Sequence, residues 1–486
     1  MEIYDWGLAS DFKDRDDELA ALDEWWADSD RLRDFLLYGR RRVGKSWLFR
    51  RFAHGKPALV LVVRSESAAA QFGEFADALE PVLGVRPEIS GTLDLIRACY
   101  RAGRGRDLLV VIDEFQNLLP TDSPSRREML DGIRAVMEDE RDQSRLRLMI
   151  CGSAVRVLDE LRDEGNPLYG RFRALRLSPI PFRHSGEFLS SLSAVESIER
   201  YAIAGGVPQY LTIMGRGDIT DAIVQHVVGR FGSLHDEVRT ILSQELNDLR
   251  IYFSILSQLA AGPKEVGSVA SALNASSGAI TPHLEKLVEL YLITRVQPIG
   301  AAPKSRNARY QLLDPFVRFW FRFIFPFQDE IAAGLNPSDH TASLILPGLA
   351  DHVAPVYEEI CRQWVRGNLA SVAHRVGVWW GPSAHATRNA AAARQSEEID
   401  IVGLRGATKT VTVVGECRWR SRPMDREPLY ELKTFKLPAL VDAGFKISKN
   451  CRFLLFSRSG FLPGVEEEAA IDPRVRLVSV DDLLAA

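Results

Sequence analysis

Gly39-Arg40-Arg41-Arg42-Val43-Gly44-Lys45-Ser46 decides how this chain is read. The octapeptide follows a β-rich run, DFLLY at 34–38, and opens a helical one, SWLFRRF at 46–52. Its spacing, G-x-x-x-x-G-K-[ST], has a physical reason at every fixed position. The glycines let the backbone curl until successive N–H groups face one point, and the following helix adds the positive end of its dipole. A loop of this kind suits the phosphates of a nucleotide, with Lys45 as countercharge and the Ser46 hydroxyl for Mg2+. Gly39, Arg40, Arg41, Arg42, Val43, Gly44, Lys45, Ser46 and Trp47 are therefore the expected binding set. The structural alternative is a surface turn before a helix.

A second motif strengthens the first. LLVVIDE at 108–114 is an apolar strand ending in two acids. A buried strand puts Asp113 at the carboxyl edge of the sheet, where it can hold a water on Mg2+. Glu114 beside it is suited to polarise the attacking water. Paired acids after a strand also serve as helix caps or solvated corners. The strand LMICGS ends in Ser153, which would either touch the γ-phosphate or the lytic water, or cap a helix. Arg171, in PLYGR, would act as an arginine finger in cis or across a subunit contact, with Arg173 as its neighbour and a surface ion pair as the alternative. Lys45, Glu114 and Arg171 are the catalytic candidates, Ser46 and Asp113 the metal candidates, and ATP and Mg2+ the implied cofactors.

The 486 residues suffice for roughly three domains of about 100–200 each. With 61 basic and 65 acidic residues the net charge is −4, so nucleic-acid or membrane binding would need a local patch. Five cysteines without a CxxC pair point to a reducing compartment rather than to disulfides or zinc. The acidic start, MEIYDWGLASDFKDRDDE, has no apolar signal core. FVRFWFRFIFPF at 316–327 is short and broken by Arg318 and Arg322, which suits a buried aromatic helix rather than a membrane span. A cytoplasmic protein is expected.

Over the first two hundred residues, β-rich runs at 35–38, 58–63, 108–112, 146–151 and 175–177 alternate with amphipathic stretches, the pattern of a mostly parallel sheet covered by helices. From 180 to 296 the pattern turns helical. Three helical runs in 251–296 have the rhythm of a helix–turn–helix module. A plain packing module fits equally well, since the third helix carries little base beyond Lys286. Segments 336–343 and 381–395 are expected as loops. EIDIVGL, KTVTVVGEC and RFLLFS then alternate as strands, with a helix over 427–441 before the last, composing a smaller α/β domain.

Phe12, Arg15, Glu18 and Leu19, the loop GRRRVGKS, the strand LLVVIDEFQ, the runs MICGSAV and PLYGRF, and Gly205-Gly206-Val207-Pro208 together resemble the archaeal-type ATPases of the STAND branch, close to AAA+ proteins. The resemblance covers residues 8–215. It implies an ATP-switched domain with Ser153 as sensor, the leading segment near the adenine, and a helical lid beginning at the GGxP turn. Such ATPases often continue with a winged helix and a domain similar to PD-(D/E)xK nucleases, of the DUF234 type. YEEIC at 357–361, EIDIV at 398–402 and GECRW at 415–419 resemble that domain's signatures. The implied architecture is a P-loop NTPase sheet (1–215), a helical lid and winged helix (216–335), and a restriction-endonuclease-like α/β domain (345–486).

In an active nuclease of this kind, Asp400, Glu416 and the Cys417 carbonyl would hold a metal ion that activates water, and Glu358 would complete the acidic cluster. Arg418 stands where the family expects lysine, and arginine is a poor proton-transfer partner. Lys433 on the next helix is a candidate replacement. Two functions follow. One is a nucleotide switch with a processing tail. The other is a non-catalytic nucleotide-gated DNA-binding or scaffold protein. ATP is the expected partner, with DNA or another nucleic acid and further copies of the chain as candidates, and no membrane.

Overall fold

The structure, a computed structural model, describes residues 13–28, 33–64, 68–246, 248–302, 305, 307–384 and 396–484. The chain packs as two compact units. One spans the described residues up to 180 together with 207–209, and the other 181–206 with 210–484.

In the first unit, strands β1 (Asp34–Tyr38), β2 (Ala58–Val62), β3 (Asp107–Asp113), β4 (Arg145–Gly152) and β5 (Phe172–Arg176) form one parallel sheet in the order β2-β3-β4-β1-β5. Strands β1, β3 and β4 are buried along nearly their whole length, as strands covered on both faces must be, and therefore read as continuous apolar runs. Four of the five strands lie where the sequence predicts them, while β5, expected at 175–177, runs over Phe172–Arg176. Because β4 lies between β1 and β3 and all run the same way, the loops leaving their carboxyl ends emerge along one edge. The helix Lys45–Ala53 buries Leu48, Phe49 and Phe52 against Phe35, Val111 and Met149 of that sheet. Truncating Phe49 to alanine there would cost about 3–5 kcal/mol.

In the second unit, the helix Ala194–Ala204 starts from a capping box, Ser193 and Glu196 exchanging hydrogen bonds. The helices Leu249–Ala260, Val266–Ala272 and Ser277–Glu289 follow, then an antiparallel pair, β6 (Ile293–Val296) with β7 (Arg309–Leu312). The helical pattern thus ends before 293, not at 296. Phe316–Phe323 lie in the aromatic helix Pro315–Phe323. Segment 336–343, expected as a loop, is helical. Asn336 accepts hydrogen bonds from the N–H groups of Ser338 and Asp339, Pro337 takes the first turn, and the chain runs on into the helix Leu346–Asn368.

A five-stranded mixed sheet closes the unit in the order β12-β11-β10-β9-β8. It consists of β8 (Arg375–Pro382), β9 (Ser396–Leu404), β10 (Thr410–Arg418), β11 (Lys446–Ser457) and β12 (Val475–Ser479). Pairs β8–β9 and β9–β10 are antiparallel, the rest parallel. β8 and β12 were not expected. The expected loop 381–395 begins inside β8, and its residues 385–395 lie outside those described, as does Phe12. Among the described residues no helix is long and apolar enough to cross a membrane.

Candidate functional site

After β1 the chain turns through 39–44 into the helix Lys45–Ala53. Gly44 sits at φ +99°, a left-handed conformation that glycine adopts without a Cβ penalty. The turn folds Lys45 inward, 6% exposed, where its Nζ donates to the carbonyls of Gly39 (2.7 Å) and Arg40 (2.9 Å). Burial pulls the ammonium below its usual range, with Cys151, Glu114 and Asp113 opposing. Val43 is buried and its carbonyl accepts from Arg15 Nη2 (3.2 Å), which also reaches the Ser178 carbonyl (2.7 Å). Arg15 therefore ties the leading segment to the loop. Val207–Gln209 belong to this unit, with the Pro208 ring beside Gly44. Trp47 is half exposed, and Arg41 is exposed.

Ser46 Oγ donates to Asp113 Oδ2 at 3.3 Å, so the loop and the end of β3 meet as the motifs require. Burial first, and Glu114 second, raise the Asp113 carboxyl above its ordinary range. Glu114 turns left-handed (φ 55°), and its N–H donates back to Asp113 Oδ1 at 3.0 Å. Ser153 Oγ donates to Glu114 Oε2 at 2.8 Å. Ser153 does not cap the next helix, whose N-cap is Ala154 without a side-chain bond. Gln116 Nε2 donates to the same Glu114 oxygen. The Gln116 amide packs against Gly152, where any Cβ would collide with it. Sequence reasoning missed Gln116, although it stands in the quoted run LLVVIDEFQ.

Arg171, the finger candidate, pairs instead with Glu138 through Nη2 at 2.5 Å, and Arg173 pairs with Glu24 at 2.8 Å. Lys45, Ser46, Asp113, Glu114 and Ser153 form one connected site, while Arg171 is engaged in an ion pair outside it. The Ser46 hydroxyl and the Asp113 carboxylate are hard oxygen donors on adjoining elements, a set that fits Mg2+ beside a nucleotide.

A second cluster lies in the mixed sheet. The antiparallel register of β9 and β10, Gly415 opposite Ile401, carries Glu416 alongside Asp400. Asp400 Oδ2 accepts from the Cys417 N–H at 2.8 Å. Lys436 Nζ donates to Glu416 Oε1 at 2.6 Å, both side chains being buried. Lys433, the lysine expected near the acids, pairs with Glu468 (2.9 Å) and Asp472 (3.7 Å) instead. Both lysines lie in one π-helical turn, Leu432–Lys436, and it is Lys436 that reaches the acids.

Arg418 lies against the same group. It approaches Glu416 Oε2 (3.1 Å) as an ion pair and Asp400 Oδ2 at 3.7 Å, and it donates to the Cys417 carbonyl at 3.1 Å. Burial, then the charge of Asp400, raises both Glu416 and Glu358 above the carboxylate range. The three oxygens that a divalent ion would need here all face a guanidinium. Among the described residues no three His, Cys, Asp or Glu side chains gather as a metal-binding group. With Arg418 in the space between them, Asp400 and Glu416 offer a divalent metal no vacant place, although Glu416 Oε2 is buried without a hydrogen-bond partner.

Residues 34–159 match the family described as AAA domain, and residues 320–428 match DUF234, described as archaeal and bacterial proteins of unknown function. The uncharacterized protein MJECL04 of Methanocaldococcus jannaschii is 26% identical over 418 residues, 84% of this chain and 88% of that protein. Among solved structures, the Walker-type ATPase PABY2304 of Pyrococcus abyssi is 22% identical, covers 65% of this chain and 97% of its own, and has a TM-score of 0.49. The ORC2 protein of Aeropyrum pernix is 17% identical over 65% of this chain and 93% of its own, with a TM-score of 0.41. The AAA match contains Lys45, Ser46, Asp113, Glu114 and Ser153.

Proposed function

We propose that this chain, an ATP-binding P-loop ATPase with a C-terminal domain of the DUF234 type, works as a Mg2+-dependent nucleotide switch. The observation that carries this is the junction of loop and strand, Ser46 Oγ to Asp113 at 3.3 Å with Lys45 buried beside it. Lys45 would exchange its loop carbonyls for the β- and γ-phosphates, and the N–H groups of 39–46 would cradle them. Ser46 and Asp113 would hold Mg2+, which supplies charge neutralisation at the phosphates. Glu114, positioned by Ser153 and Gln116, would orient and polarise the attacking water. Arg171 would have to leave Glu138 to serve as a finger, in cis or from a neighbouring copy.

ATP would order the first domain (1–215) against a helical lid and winged helix (216–335), and hydrolysis would release it. The hairpin β6–β7 after three helices supports the winged-helix assignment. The output domain (345–486) is nuclease-like, and the protein is cytoplasmic. Purified chain with ATP and Mg2+ should bind and slowly hydrolyse nucleotide. Equal ATP affinity in wild type and Lys45→Ala would refute the site.

A second function, nucleotide-gated DNA binding or scaffolding without cleavage, is favoured by the contacts of Arg418 and Lys436 with the acid pair. Labelled DNA incubated with Mg2+ or Mn2+ separates the two. Cleavage lost in Asp400→Ala supports a nuclease, and its absence under every condition supports a binder.

A further inference from the structure

We propose that Arg418 is a built-in counter-cation, standing in the mixed sheet where a divalent metal ion would otherwise join Asp400, Glu416 and the Cys417 carbonyl. The inference is independent of the nucleotide site.

Its first support is geometric. One guanidinium faces all three oxygens, at 3.7 Å from Asp400 Oδ2, 3.1 Å from Glu416 Oε2 and 3.1 Å from the Cys417 carbonyl. Three ligands converging on one cation is the arrangement a metal ion imposes, and here a guanidinium takes that place, hydrogen-bonded to the Cys417 carbonyl and ion-paired with the two acids, while Glu416 Oε2 itself accepts no hydrogen bond. A lysine at 418 would carry a compact ammonium on a flexible stem, which could not spread over the three.

The second support is charge balance. Lys436 occupies the other oxygen of Glu416, at 2.6 Å. On the neighbouring helix, Glu358 faces Arg362 at 3.7 Å, and Glu359 pairs with Arg362 at 2.8 Å and Arg366 at 2.7 Å. Arg362 also donates to the Asp400 carbonyl at 3.0 Å. The acids Glu358, Glu359, Asp400 and Glu416 thus lie in contact with the bases Arg362, Arg366, Arg418 and Lys436, with Glu398 and Glu431 acting on the group from further out. A divalent ion entering this group would add positive charge beside Arg418 and Lys436, where Glu416 is 1% exposed, and desolvation makes crowding of like charges costly. Because a guanidinium does not deprotonate in proteins, no accessible pH removes the stand-in.

The domain would therefore hold its acid pair together without metal, and chelators should leave it unchanged. The test uses the full chain, free of nucleotide, titrated with Mn2+ while the free ion is followed by electron paramagnetic resonance. Wild type and Asp400→Asn should bind the same number of Mn2+ ions. Arg418→Ala should gain one site, at least about tenfold tighter than any in wild type, and Arg418→Ala combined with Asp400→Asn should lose it. A wild-type site that disappears in Asp400→Asn would overturn the proposal, and so would a folded Arg418→Ala that gains nothing. If Arg418→Ala does not fold, the comparison of wild type with Asp400→Asn still decides. ATP affinity measured in parallel should be the same in all variants, which keeps the nucleotide site out of the outcome.

Discussion

The two polar clusters of this chain use the same residue types toward opposite ends. At the nucleotide loop, Lys45 is held by backbone carbonyls, while the acids Asp113 and Glu114 are held by hydroxyls, an amide and a backbone N–H. In the mixed sheet, Lys436 and Arg418 lie directly on Glu416 and Asp400. Neutral hydrogen bonds position a charge and leave it available to a ligand, whereas an ion pair consumes it. The chemistry of a site thus depends less on which acids it contains than on what already neutralises them.

That contrast breaks first at Glu114. If its carboxylate works on water, Glu114→Gln should keep ATP affinity within about threefold and lower turnover about 10³-fold, as read by steady-state kinetics against equilibrium binding. Unchanged turnover would remove the base from the site. Next comes Lys436→Ala, which leaves Glu416 buried beside one remaining cation. It should cost about 3 kcal/mol in the denaturant transition of the second unit, and the matching Lys45→Ala should cost under about 1 kcal/mol, since no acid is orphaned. Equal losses would erase the distinction drawn above. Lys45→Ala should instead weaken ATP binding about 10²-fold, visible by titration with a fluorescent nucleotide.

The smallest effect tests an acid held by a neutral hydroxyl, with Arg141 and Arg147 acting on it only through their charge. Asp34 is fully buried at the start of β1 and takes a hydrogen bond from the Tyr100 hydroxyl at 2.9 Å. Burial, partly offset by that bond, pushes its carboxyl up to about 6. A raised carboxyl binds more protons folded than unfolded between about pH 4 and 6, so stability falls as pH rises through that window and stays lower above it. Asp34→Asn should therefore raise stability by about 2 kcal/mol above pH 6 and leave it unchanged below about pH 4, measured as Tm against pH.

Much of this was legible before any coordinates. Strands β1, β3 and β4 could be read because parallel strands buried on both faces are nearly continuous apolar runs, as LLVVI and LMIC are. The half-buried β5, FRALR, carries two arginines, and the apolar pattern puts it too late in the chain. Ser46 and Asp113 could be paired because loop and strand motifs carry their own geometry. Lys436 could not be singled out. It lies three residues from Lys433, and the π-helical turn that carries both has no sequence signature that chooses which lysine faces β10. Gln116 escaped notice because its role depends on the bare Gly152 at the end of a strand about forty residues away. β8, with its glycines and arginine flank, lacks the alternation that marks a strand.

Glu114 holds its backbone at φ 55°, ψ 39°, a conformation that costs a side chain with a Cβ about 1 kcal/mol. Glycine or asparagine would rest there more comfortably. A laboratory search for hardier versions of this protein, blind to turnover, should therefore drift toward those two residues at 114 and deliver a chain that is tougher and inert.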